Sequence, residues 1–425
     1  MSAKTICFIN TSAGGSHGAI TRELAVGASA AGYSPIAAYS RGNPPGEFAS
    51  VRIGSDMDMR LAGLTTRLRD NHGFANARAT RRFLSKLDEI KPDLLHLHNL
   101  HGYYINVEML FSYIKKNELP AVWTLHDCWA FTGHCSHFVR ANCDKWRTLC
   151  HACPMKREYP ASLLLDNSER NYRRKRSAFT NVPNLRIVAP SDWLAENVRR
   201  SFLRDYPLSV IPNGVDTNAF TPSDEMMGAM HSTTHCVVKD GSILSIAAPF
   251  DERKGFTDII ETAKLLPNKR FILIGLTDKQ KKLLPSNAEG YGRINDRAQI
   301  IRFCRKASLL LNATYEDTYP TVNMEAIACG TPAVSYNTGG CAEQQGLSLQ
   351  SAALSGRRFI QTQVGAIVNE KSPAALAEAI AQTELSFARP DASELLHLFS
   401  LKHFDRNKAV SAYVDIYKEG LGIMD

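Results

Sequence analysis

The segment LLLNATYEDTYPTVNMEAIACGTPAVSYNTGG, residues 309–340, holds the carboxylates Asp317 and Glu325, separated by seven residues. Pro320 suits a first helical position, where a missing N–H costs nothing. Gly330 suits the position just past a helix end. Together they predict a helix over Pro320–Cys329 that starts at the carboxyl end of a strand. The N–H groups of Thr321 and Val322 would then point at an anion, with phosphate the natural occupant. The two acids are placed to accept hydrogen bonds from sugar hydroxyls. A second turn, TSAGGSHGAITREL, has glycines at 14, 15 and 18 that would let backbone approach a ligand, so Gly14 and Gly15 join the candidate binding residues. Its spacing is not G-x-G-x-x-G, and no acid ends the following strand PIAAYSRG, which argues against a nicotinamide dinucleotide. A plain tight turn is the alternative.

Histidines and cysteines make two further groups. VWTLHDCWAFTGHC places His126 and Asp127 at the end of a strand, and LLHLHNLHGYY sets His96, His98 and His101 at the end of the preceding one. Cys135, Cys143, Cys150 and Cys153 follow a C-x7-C-x6-C-x2-C spacing, with His134, His137 and His151 interleaved. In a cytosolic protein such density favours metal over disulfides. Four thiolates could form a closed structural zinc site stapling an insertion without a core of its own. The spacing is not that of a common zinc finger, so disulfides and free thiols stay open. Cys7, Cys236, Cys304, Cys329 and Cys341 sit in apolar context and read as core.

Short apolar runs alternate with amphipathic helical stretches, which positions these residues at the ends of parallel strands in an α/β fold with two doubly wound sheets. Expected strands are Thr5–Asn10, Leu94–Leu97, Ala121–Leu125, Leu185–Ala189 and Ser209–Ile211 in the first half. The second half offers Ile243–Ala247, Phe271–Ile274, Leu309–Ala313, Pro332–Ser335 and Gly365–Val368. A chain of 425 residues is too long for one core, so two domains are expected. Apolar residues at 44% and charged residues at 22% exclude a disordered or fibrous protein. No apolar run approaches the ~18 residues of a membrane span, and the N-terminal apolar run is too short for a signal peptide. The expected location is therefore cytoplasmic. Residues 1–220 hold 28 Lys and Arg against 19 Asp and Glu, while the remainder holds 22 against 23. Arg170, Arg173, Arg174, Lys175, Arg176, Arg199, Arg200 and Arg204 are prominent in that excess. An anionic partner fits, such as a membrane surface or a lipid-linked phosphate, as does a solvated helix face. Aromatics do not interleave with the cluster as a single-strand nucleic-acid binder requires.

The motifs resemble those of the retaining GT-B glycosyltransferases of family 4, whose donor site carries two acids separated by seven residues and followed by a pattern like EAMACGTPVV. This chain has Asp317, Glu325 and EAIACGTPAVSYNTGG. VIPNGVDTNAF (Val210–Phe220), APSDWLAENV (Ala189–Val198) and ERKGF (Glu252–Phe256) match other family segments. The cysteine insertion is similar to one in the exopolysaccharide, colanic-acid-like branch. The resemblance implies two Rossmann-like domains facing each other across a cleft. These are an acceptor-side domain over 1–220 with the insertion at 128–155, a linker at 221–235, and a nucleotide-sugar-binding domain over 236–400. A last helix in 401–425 packs back toward the first domain. It implies transfer with retention from a nucleotide-sugar to a saccharide acceptor linked to a polyprenyl diphosphate, in bacterial surface-glycan synthesis, peripherally at the inner face of a membrane. Lys254 and Arg253 would meet the donor diphosphate. Tyr319, Thr321, Val322 and Glu325 would complete the donor site, and His126, Asp317 and Glu325 would act in catalysis. His126 would face the reacting sugar, with His98 and His101 toward the acceptor. No cofactor is implied for the chemistry. Two departures stand out: the first acid is Asp with Glu316 beside it, and Pro249 occupies a place where the family usually has Arg. Rival readings are a GT-B phosphorylase or epimerase, and a zinc-stabilised nucleic-acid-binding protein. The last leaves the second half of the chain unexplained.

Overall fold

The computed structural model describes residues 3–43, 46–223, 239–348, 351 and 356–423. All but the first three residues of the expected linker, and Cys236 with them, lie outside the described residues. Contacts divide the chain into two compact units, Met1–Pro212 with Ala409–Asp425, and Asn213–Lys408. The first boundary falls before the expected position 220, and the chain's last segment belongs to the first unit.

The first unit is a seven-stranded sheet of β1 (Thr5–Ile9), β2 (Ser34–Tyr39), β3 (Ala49–Arg52), β4 (Leu94–Leu97), β5 (Ala121–Thr124), β6 (Leu185–Ala189) and β7 (Leu208–Val210). Its order is β3-β2-β1-β4-β5-β6-β7 and every pair is parallel. The second comprises β8 (Ile243–Ile246), β9 (Phe271–Ile274), β10 (Ala288–Tyr291), β11 (Leu309–Asn312), β12 (Ala333–Tyr336), β13 (Phe359–Gln361) and β14 (Gly365–Val368). Its order is β10-β9-β8-β11-β12-β14-β13, parallel except for β13 on β14. Helices cover both faces, so interior strands such as LLHL, AVWT, FILI and LLLN are buried throughout.

Both sheets reverse their winding direction beside their first strand, between β1 and β4 and between β8 and β11. In open α/β sheets, ligands bind outside the carboxyl ends of the strands at such points. The turn with Gly14 and Gly15 follows β1, and His98 follows β4. Lys254 lies in the connection after β8, and Asp317 lies in the connection after β11. Topology alone therefore gathers the candidate residues of each half. Among the described residues no helix is long and apolar enough to cross a membrane.

Candidate active site

In the second unit Lys254 closes a 3-10 turn, Glu252–Lys254, whose start is capped by Asp251 Oδ1 accepting from the Lys254 N–H at 3.1 Å. Gly255 follows at φ 73°, where a Cβ would lie 2.1 Å from Ala313 O. Only glycine lets the turn close onto the end of β11. The Lys254 ammonium consequently reaches Asp317, Nζ to Oδ2 at 2.5 Å, with 20% and 18% of the two side chains exposed. From the other side Gly339, at φ 54°, backs the Asp317 loop so closely that a Cβ would sit 1.7 Å from Asp317 O. Arg253 is turned away, with Nη1 3.4 Å from Glu316 O and Nε 3.8 Å from the Asp251 carboxylate.

The helix that follows runs Thr321–Ala328. Pro320 precedes it rather than opening it, because its ψ of 122° is extended. Its carbonyl instead accepts from Gln344 Nε2 at 2.8 Å. No side chain caps the helix start, and Thr321 and Val322 are half-buried there. A buried polar chain fixes the position: Asn312 Nδ2 donates to Asn323 Oδ1 at 2.9 Å, and Asn323 Nδ2 donates to Ser335 Oγ at 3.1 Å and Gln344 Oε1 at 3.0 Å. This network ties the helix to β11 and β12. Polar residues inside otherwise apolar strands, Asn312 and Ser335, are the sequence signal for it. Tyr319 is buried in the core. The two acids act on different neighbours: Asp317 on Cys341 beside Lys254, and half-buried Glu325 on the buried Cys304 thiol. Asp258 accepts from both Tyr315 and Tyr336, at 2.6 and 2.5 Å, joining the helix Phe256–Leu265 to this end of the sheet. Burial first, then Asp258, pushes the Tyr315 hydroxyl up to about 12.

In the first unit His126 is buried two residues beyond β5, its Nε2 3.0 Å from His98 Nδ1. The two rings are nearly parallel at 13°, and the His17 ring lies 4.7 Å from that of His126. Burial, then the neighbouring imidazoles, drives both His126 and His98 well below the ordinary histidine value. Both are neutral, and one donates to the other. His96 lies inside β4, bonded through Nδ1 to Tyr417 Oη and through Nε2 to Thr124 Oγ1, each at 2.8 Å. Burial takes it down to about 3. His101 makes a separate pair, Nε2 to Asp127 Oδ2 at 2.6 Å, with Nδ1 3.1 Å from Tyr159 Oη. Burial raises the Asp127 carboxyl, but the charge and hydrogen bond of His101 outweigh it and hold the group below the usual carboxylate range. Nothing in the sequence pairs these two residues, which are 26 positions apart. Gly14 and Gly15 open the helix Gly15–Ala30, and a Cβ on either would meet nothing within 4 Å. The close approach is at Gly18, whose Cβ would lie 2.6 Å from Ala13 C.

Cys135, Cys143, Cys150 and Cys153 line one small cavity and are free thiols. Cys135 and Cys153 hydrogen-bond to each other, and Cys150 Sγ accepts from the Gly133 N–H at 3.2 Å. Among the described residues no group of three or more His, Cys, Asp or Glu is arranged to hold a metal ion. His134 pairs with Asp70 at 2.5 Å, both side chains fully buried. The basic cluster also differs from a single charged face. Arg173 pairs with Glu169, Arg174 with Glu108, and both Arg199 and Arg200 with Glu196. Lys175 is buried, donating to Trp129 O at 2.7 Å and Thr132 O at 3.0 Å, and burial takes it down to about 7. It anchors the loop after His126 and Asp127.

Residues 18–219 match the family model described as Glycosyltransferase Family 4, and residues 237–387 that described as Glycosyl transferases group 1. The chain is 25% identical over 269 residues to an Escherichia coli (strain K12) protein named Putative colanic acid biosynthesis glycosyl transferase WcaC, covering 58% of this chain. It is 26% identical over 157 residues to the Processive diacylglycerol alpha-glucosyltransferase of Acholeplasma laidlawii, covering 35% of this chain. The matches span 60% and 47% of the length of these two curated relatives. Sucrose-phosphate synthase from Thermosynechococcus elongatus has a similar fold, with TM-score 0.68 at 14% identity over 99% of this chain and 100% of that one. Anabaena HepE, solved with UDP and glucose, follows with TM-score 0.62 at 14% identity over 97% of this chain and 99% of that one. Its two halves matched in this order and its fold shared from end to end with solved glycosyltransferases, the chain belongs to the family 4 glycosyltransferases of GT-B fold.

Proposed function

We propose that this enzyme moves a sugar, with retention, from a nucleoside diphosphate sugar to a saccharide acceptor carried on a polyprenyl diphosphate, in the assembly of a surface polysaccharide. The observation that carries the donor half is the Lys254–Asp317 pair, set with the uncapped start of the helix Thr321–Ala328 in the connections after β8 and β11. An arriving diphosphate would take the Lys254 ammonium from Asp317 and accept hydrogen bonds from the helix start. Asp317 would then accept from a donor-sugar hydroxyl, and Glu325 from the ribose. The bond from the anomeric carbon to the phosphate oxygen breaks as the acceptor oxygen approaches on the same face. The leaving phosphate takes the acceptor's proton, and Lys254 with the helix start stabilises the charge left on it. In the first unit, the neutral His126–His98 pair offers a hydrogen-bond donor and the His101–Asp127 pair an acceptor for saccharide hydroxyls. The colanic acid name of the curated relative and the UDP and glucose held by HepE support the reading.

Thermal shift against a panel of nucleoside diphosphate sugars, followed by turnover with the stabilising donor, tests it. Lys254→Ala should abolish the shift and lower kcat/KM by about two to three orders of magnitude, the scale of losing a preorganised charge partner. Asp317→Asn should lower turnover while retaining nucleotide binding. Wild-type turnover in Lys254→Ala would discard the site, and a panel in which no sugar nucleotide stabilises the protein would discard the donor class.

A further inference from the structure

The helix Asp56–Arg69 is apolar on the side where a surface helix should be polar. Its inward face carries Met59, Ala62 and Thr66, all buried. On the opposite face stand Met57, Leu61, Leu64 and Leu68, at spacings of four, three and four. At about 100° per residue these four fall within an arc of about 60°. The stripe continues into Leu163–Leu165, because the Leu163 N–H donates to Arg67 O at 2.7 Å and that of Leu165 to Leu68 O at 3.3 Å. These seven side chains are between 40% and 65% exposed. The platform beneath them is firmly tied. Ser55 and Asp58 form a capping box at the helix start. At the other end the Asp70 carboxylate receives His134 Nδ1 at 2.5 Å and the Asn167 N–H at 2.8 Å. A contiguous apolar surface on a fixed support marks a docking face.

We propose that this face seats the enzyme on an anionic lipid bilayer. Charge decides the occupant. Arg60, Arg67 and Arg69 are exposed around the stripe and make no ion pair among the described residues, whereas Asp56, the exposed acid of the helix, is paired with Arg52. An apolar stripe edged by unpaired arginines matches an interface of acyl chains and phosphate headgroups. A second copy of this chain meeting the same face would oppose arginine to arginine and bury like charge. The inference concerns membrane attachment alone and does not rest on the donor or acceptor named above.

The test is co-sedimentation of the full chain with phosphatidylcholine vesicles, with and without about a third phosphatidylglycerol. Wild type should bind the anionic vesicles and lose binding as salt rises. Leu61→Ser with Leu64→Ser, and separately Arg60→Glu with Arg67→Glu, should each cut the partition coefficient about tenfold or more. Because all four side chains face solvent, both variants should keep the wild-type melting temperature, and each double variant serves as a check on the other. Three results overturn the proposal: no wild-type binding to anionic vesicles, unchanged binding by the variants, or a dimer in solution that the Leu→Ser variant abolishes while vesicle binding persists.

Discussion

Neutral histidines in the first unit make its stability a function of pH. His72, His96, His98 and His126 are held far below the ordinary value, in each case first by burial. The unfolded chain binds protons at these positions below about pH 6.5, while the folded chain does not. Their contribution is therefore complete above that pH and is lost as pH falls, with a slope of up to about 1.4 kcal/mol per unit for each histidine. The Asp127 carboxyl, also lowered, acts in the same direction only below about pH 4, and His134, raised by Asp70 against its own burial, gives stability that is lost as pH rises above about 6.5. The melting temperature should drop steeply between pH 7 and pH 5, and His96→Gln, itself destabilising, should make that drop shallower. A melting temperature flat across this range would mean that these imidazoles are protonated in the folded chain.

At the scale of elements, the loops after the strands are shaped by where a side chain cannot fit. Gly255 combines φ 73° with a Cβ position 2.1 Å from Ala313 O, whereas Gly14 has φ −125° and open space around it. Gly255→Ala should cost at least about 2 kcal/mol in urea unfolding and displace Lys254, with loss of donor binding. Gly14→Ala should change stability by less than about 0.5 kcal/mol. Equal effects would show that the backbone relaxes around residue 255. The same geometry separates what was legible in the chain from what was not. Interior strands such as β9 (FILI) and β11, apolar over Leu309–Leu311, were read directly. Edge strands β3 (ASVR), β10 (AEGY) and β13 (FIQ) contain no fully buried residue, so neither alternation nor an apolar run announced them. The spacing of Asp317 and Glu325 was readable, as was the helix that carries Glu325. The Lys254–Asp317 contact depends on two loop closures at glycines, and the histidine pairs depend on neighbouring strands in register, so neither is local in sequence.

Over the whole molecule, chain order and structural order part at the C-terminus. The helix Arg406–Gly420 follows the second unit in sequence, yet from Ala409 onward it belongs to the first. Tyr413, Ile416 and Tyr417 are buried there beside β1 and β4, and Val410 lies so close to Gly27 that a Cβ on the glycine would be 2.1 Å from Val410 Cγ1. Tyr417 Oη holds His96 and Tyr413 Oη reaches Thr124 Oγ1 at 2.9 Å, so each of these two strand residues owes one buried hydrogen bond to this helix. Burying three such side chains stabilises by about 1.5–3 kcal/mol each, a sum comparable with the whole stability of a typical domain. A chain ending at Lys408 should therefore fail to hold the first unit together, and Tyr417→Phe alone should cost about 1–3 kcal/mol by leaving His96 Nδ1 unpartnered in the core. The readout is selective, because all four tryptophans, Trp123, Trp129, Trp146 and Trp193, lie in the first unit. Tryptophan fluorescence of the shortened chain should show exposed indoles at temperatures where the full chain is folded. If the emission and its thermal transition match those of the full chain, the helix is an accessory to the first unit and the sheet stands without it.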